Sequence, residues 1–100
     1  MTTISTHVLD TAEGRPGAGV PVRLLGDGGV LAEAVTDADG RVGELVPGGV
    51  GPGTYRLVFD VSARSDFFPE VTVTFVVSDD RHHHVPLLLS PFSYSTYRGS

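Results

Sequence analysis

The sequence predicts an all-β domain: two packed sheets forming a sandwich of about eight short strands. Three observations carry this expectation. Apolar and polar residues alternate over short runs, as strands with one buried face require. No window sustains a helical period through three turns. Gly and Pro punctuate nearly every junction, with 13 Gly and 7 Pro in 100 residues.

The elements follow in order. "ISTHVLD" is the first strand and "GRPGAG" the turn after it. "VPVRLL" and "VLAEAVTD" flank "GDGG", whose glycines supply the positive φ angles of a tight hairpin, so these two strands should be neighbours. "DADGR" reads as a turn, and "VPGGVGPG" is too rich in Gly and Pro to be anything but loop. "TYRLVFDV" sets Tyr55, Leu57, Phe59 and Val61 against Arg56, Val58 and Asp60. "EVTVTFVV" sets Val71, Val73, Phe75 and Val77 against threonines. "HHHVPLLLS" and "SYSTYR", joined by a bend at Pro91, complete the set.

Composition bounds the function. One hundred residues with neither linker nor repeat make a single domain, residues 1–100, with one core. A net charge of -5, with seven Arg, no Lys and twelve acidic residues, argues against a phosphate-tracking surface and so against nucleic acid as a partner. The absence of Cys excludes a disulfide framework, a thiolate nucleophile and a thiolate metal site. "MTTISTHVLD" lacks the basic flank and continuous apolar stretch of a secretory signal, and no run reaches membrane-spanning length. A soluble cytoplasmic protein with no membrane partner is expected.

Period-two geometry assigns faces. His83, Val85, Leu87 and Leu89 form the core face of the "HHHVPLLLS" strand, which turns His82, His84, Pro86 and Leu88 outward. In "ISTHVLD" the core face is Ile4, Thr6 and Val8, and Ser5, His7 and Leu9 lie on the other side. That outer face is unusually apolar. Leu9, Pro86 and Leu88 are expected to be exposed in a monomer, which implies a homo-oligomer with histidines near its interface.

The triple His at positions 82–84 is the conspicuous motif. Adjacent strand residues alternate in direction, so at most His82 and His84 could share a metal, and a zinc site usually needs a third protein ligand. Half-exposed strand histidines are the plainer reading, and no metal is assigned. One such His could still serve as a base near neutral pH. His7 alone reads as a hydrogen-bonded structural residue and Arg41 alone as a solvated turn charge.

Together with their surroundings these residues say more. "STHVLDT", "DGR", "FFPEVTVTF" and "HHHVPLLLSPFSYSTYRGS" resemble, in order and over almost the whole chain, the transthyretin-related family of 5-hydroxyisourate hydrolases. The terminal "YRGS" is the most specific element, because it separates the hydrolases from transthyretin, the hormone carrier with the same fold. The resemblance implies an eight-stranded transthyretin-like (prealbumin-like) β-sandwich, assembled as a homotetramer with sites between subunits. It also implies hydrolysis of 5-hydroxyisourate, the unstable product of urate oxidation, to 2-oxo-4-hydroxy-4-carboxy-5-ureidoimidazoline. No cofactor is implied.

Residue by residue, the family's first His falls on His7, its turn Arg on Arg41, and its second His on His84, directly before Val-Pro, with His82 and His83 as less essential neighbours. The tetrapeptide falls on Tyr97, Arg98, Gly99 and Ser100. In the family it lies at the mouth of the active site, which implies that the end of this chain belongs to the site. Catalytic roles are expected for His7, Arg41 and His84, and substrate contacts for His7, Arg41, Tyr97 and Ser100. Between "FDV" and "FFPE" the family carries a longer insert with a short helix, whereas Ser62–Asp66 leaves room for little more than a turn. The reading from another class, a non-catalytic small-molecule carrier of the same architecture, follows from fold alone.

Overall fold

The computed structural model describes residues 1–100 and contains nine strands and no helix. These are β1 (Ile4–Asp10), β2 (Arg15–Pro16), β3 (Pro21–Gly26), β4 (Gly29–Val35), β5 (Arg41–Val42), β6 (Gly53–Asp60), β7 (Glu70–Val77), β8 (His83–Leu89) and β9 (Tyr94–Thr96). They form two sheets, as expected. One has the order β4-β3-β6-β7 and is antiparallel throughout. The other has the order β2-β1-β8-β9, with β5 also paired to β1.

The seven longer strands lie where alternation put them. Two pairings were not legible as strands: Arg15–Pro16 and Arg41–Val42, both read as turns, lie antiparallel along one edge of β1. A two-residue ladder shows no period of its own and exists because β1 is there to pair with. With the seven longer strands these two make nine, where about eight were expected. The other edge of β1 pairs with β8 in parallel, setting Ser5 beside His84, Thr6 beside Val85 and His7 beside Pro86.

The core lies between the sheets and contains Ile4, Val8, Val22, Leu24, Leu57, Phe59, Val71, Val77, Leu87 and Leu89, all buried. His83 is buried on this inner face, as its place in the alternation requires. Its Nδ1 donates to the Arg81 carbonyl at 2.7 Å, so it is a satisfied structural histidine. Thr6 Oγ1 likewise donates to the Val85 carbonyl at 2.6 Å, which ties the parallel pair together from within.

The expected apolar outer face needs correcting. Pro86 is buried within the single chain, and Leu9 and Leu88 are half-buried. β1 and β8 are both central strands, each flanked on two sides, so neighbouring side chains cover their outer residues. The strongly exposed apolar residues lie elsewhere, on the free edges and end loops, and include Val76, Phe67, Phe92 and Tyr97. Ser62–Asp66 forms a turn and no helix, as its length predicts, with the Arg64 and Ser65 N–H groups donating to the Val61 carbonyl. Arg64 then reaches Asp10 at 3.0 Å and the Ala18 carbonyl at 2.8 Å, bracing this end of the sandwich.

Candidate active site

The outer face of the β5-β1-β8 layer carries the chemistry. Arg41 arrives through the turn Asp37–Gly40. The Asp37 carboxylate accepts from the N–H groups of Asp39 at 2.9 Å and Arg41 at 3.0 Å, which is the local bonding that makes Asp a turn residue. Gly40 has φ +75°, and a Cβ there would drive into the Val8 carbonyl oxygen, so only Gly fits. The turn thus lays Arg41 directly opposite His7 in antiparallel register. The Arg41 guanidinium has no carboxylate partner, since the ion pairs of the chain are Arg64–Asp10 and Arg81–Asp79.

On the other side of β1, parallel register sets Ser5 beside His84, and the Ser5 hydroxyl lies 2.7 Å from His84 Nδ1. The same hydroxyl lies 2.7 Å from His82 Nε2, while Thr3 Oγ1 lies 2.6 Å from His82 Nδ1. Both ring nitrogens of His82 are therefore engaged, which leaves it none to offer a metal together with His84. His84 Nε2 remains its one nitrogen without a partner in the chain. His7 sits on the same face of β1 as Ser5, two residues along, and so stands near both Arg41 and His84. Burial holds the His84 imidazole below its ordinary value of 6.5, the Arg41 cation acts in the same direction, and a proton on His7 or His82 would add to it. The result is a histidine that stays neutral, with a free nitrogen beside a fixed cation.

The chain's last residues close one side of this site. Strand β9 ends at Thr96 because its next partner would be Pro86, which has no N–H to donate. Keeping the same register puts Gly99 opposite His84, and the Gly99 N–H donates to the His84 carbonyl at 2.8 Å. A Cβ on Gly99 would stand 2.5 Å from His84 Cδ2, so the glycine lets the tail lie against the imidazole. Together these groups line an open cleft of about 330 Å³ that includes Ser5, Arg41, His82, His84, Gly99 and Ser100. Two larger depressions, of about 600 and 620 Å³, contain no histidine.

Of the residues predicted from sequence, Arg41, His84 and Ser100 line the cleft and His7 borders it through its pairing with Arg41. Tyr97 is not among the lining residues. It stands 59% exposed beside a separate hollow of about 150 Å³ shared with His83, Val85 and Phe75. Sequence reasoning missed Ser5 as a site residue, although alternation had put it on the same face as His7. His82, expected to be a less essential neighbour of His84, also lines the cleft.

The chain matches the model of the HIUase/Transthyretin family over residues 4–99. It is 44% identical to a 5-hydroxyisourate hydrolase of Caulobacter vibrioides, covering all of both chains. It is 45% identical to the "Uric acid degradation bifunctional protein TTL" of Arabidopsis thaliana, of which it spans 37% of the length. Among solved structures it superposes on Klebsiella pneumoniae 5-hydroxyisourate hydrolase with a TM-score of 0.92 at 38% identity, covering all of both chains.

Proposed function

This chain belongs to the HIUase/Transthyretin family, and on that premise we propose that it hydrolyses 5-hydroxyisourate in urate degradation. The observation that carries the proposal is the single cleft in which His84, Arg41, Gly99 and Ser100 meet, with His7 across from Arg41. Opening an amide ring requires a water made nucleophilic, a developing negative charge stabilised on the carbonyl oxygen, and an oriented substrate.

His84, neutral and with Nε2 unengaged, is the general base: Nε2 takes a proton from water as the water oxygen attacks the carbonyl carbon. The guanidinium of Arg41 offers its fork of donors to the oxygen on which charge develops. Being unpaired with any carboxylate, it loses no internal ion pair when substrate binds. His7 orients the water or returns a proton to the departing ring nitrogen. Ser100 contributes a hydroxyl at the mouth of the cleft. With neither Cys nor Lys in the chain, direct attack by water is the economical route. The carrier reading is not favoured, since the relatives that match over at least nine-tenths of their length at 38% identity or more are hydrolases by name.

The proposal includes a homotetramer acting in the cytoplasm. Supporting assembly, β7 and β9 are unpaired sheet edges, and Val76 and Tyr97 expose large apolar surface there. Tyr97, lying outside the cleft of its own chain, meets substrate across such a subunit contact. Sedimentation of the wild-type protein checks the tetramer, and cell fractionation checks the location. The activity is tested by adding freshly made 5-hydroxyisourate and following its absorbance against spontaneous decay. Decay no faster than background would refute the hydrolase reading.

A further inference from the structure

The chain of side chains Thr3, His82, Ser5, His84 has a property that its separate members lack. Ser5 has one hydroxyl hydrogen and two imidazole neighbours, each at 2.7 Å. It can donate to one ring and must accept from the other. The four groups therefore have two self-consistent hydrogen-bond senses when both histidines are neutral. In one, Thr3 donates to His82 Nδ1, His82 Nε2–H to Ser5, and Ser5 to His84 Nδ1, which leaves His84 with its hydrogen on Nε2. In the other, His84 Nδ1–H donates to Ser5, Ser5 donates to His82 Nε2, and His82 Nδ1–H donates to Thr3.

We propose that the second sense is the working one, and that Ser5 and His82 are positioning residues which hold His84 in its Nδ1–H form with a lone pair at Nε2. The inference rests on the hydrolase reading for its purpose, since that tautomer is the one able to take a proton from water. It rests on geometry for its content. The groups facing His84 are Arg41 from β5, His7 and Ser5 from β1, His82 from its own segment, and Gly99 with Ser100 from the tail. No Asp or Glu side chain is among them, no group of the chain accepts a hydrogen bond from Nε2, and the nearby Arg41 cation favours a lone pair facing it. Ser5 is itself buried, so water does not compete freely for its hydroxyl.

The arrangement carries a sign. When His82 takes up a proton it becomes a donor at both nitrogens, Ser5 must then accept from it, and the hydroxyl turns to donate to His84 Nδ1. His84 is driven to the Nε2–H form and ceases to be a base. Protonation of His82, which is not itself the base, thus switches off the site.

The test reads tautomers directly, by ¹⁵N NMR of imidazole-labelled protein, beside kcat, KM and their pH profiles for wild type, Ser5→Ala, Ser5→Thr and His82→Phe. His82 is exposed, so His82→Phe is tolerated by the fold, and circular dichroism checks Ser5→Ala. Wild type should show His84 with hydrogen on Nδ1 at neutral pH. Ser5→Ala and His82→Phe should lose that preference and lower kcat about tenfold, the scale of one hydrogen bond, with KM little changed. Ser5→Thr, which keeps the hydroxyl, should restore most of kcat. His82→Phe should also move the acid limb of kcat relative to wild type. A wild-type His84 with its hydrogen on Nε2, or Ser5→Ala with unchanged kcat and pH profile, would overturn the proposal. If wild type shows the Nδ1–H form, lost in Ser5→Ala, yet does not turn over 5-hydroxyisourate, the relay stands and the hydrolase reading falls.

Discussion

Gly99 lies against the imidazole of His84, its N–H bonded to the His84 carbonyl at 2.8 Å and its Cα too near Cδ2 to bear a side chain. Gly99→Ala should therefore displace either the ring or the tail. Because the terminus packs little core, the thermal midpoint should hardly change, while kcat/KM falls ten- to about a hundredfold, as misplacement of a reacting group by about an ångström does. Equal activity with equal stability would show that the contact is incidental.

His7→Ala, Arg41→Ala and His84→Ala should each lower kcat/KM by about a hundredfold or more, the scale of general acid–base and charge-stabilising groups. None belongs to the buried core, so circular dichroism should report an intact sandwich. Substantial turnover by His84→Ala would remove the assigned base.

The depressed affinity of His84 for a proton predicts its titration. Burial, then the Arg41 cation, favour the neutral ring, and a proton on His7 or His82 would do the same, so its NMR midpoint should lie below 6.5. Arg41→Gln removes one of those charges and should move the midpoint upward. The linkage follows in sign: the unfolded chain protonates its His first, so this group lowers stability as pH falls from about 6.5 through the native midpoint, and is without effect above. A midpoint above 6.5 in wild type would contradict the buried, cation-flanked setting.

Gly40→Ala tests the turn that delivers Arg41. The backbone there is at φ +75° and a Cβ would strike the Val8 carbonyl. Destabilisation of at least about 1–2 kcal/mol is expected from the left-handed conformation alone, read as a lowered denaturant midpoint, together with reduced activity. Gly28→Ala, at a glycine with open space around it, is the control and should be near neutral.

Alternation and turn chemistry are local, and so the sequence alone determined what they govern. Seven strands, the buried faces of β6, β7 and β8, the inward turn of His83, and the outward side shared by Ser5, His7 and His84 could all be read from residues within two positions of one another. The "YRGS" end and the histidine before Val-Pro pointed to the family for the same reason, as contiguous motifs. Register between distant strands has no such local signature. Ser5 and His84 stand 79 positions apart, and only the parallel pairing of β1 with β8, decided by how two apolar faces close on one core, sets one hydroxyl between two imidazoles. The same packing placed Arg41 opposite His7, covered Pro86 that alternation had left exposed, and kept Tyr97 out of the cleft that Gly99 and Ser100 enter. Which side a residue faces is a matter of its own strand; what it faces belongs to the fold.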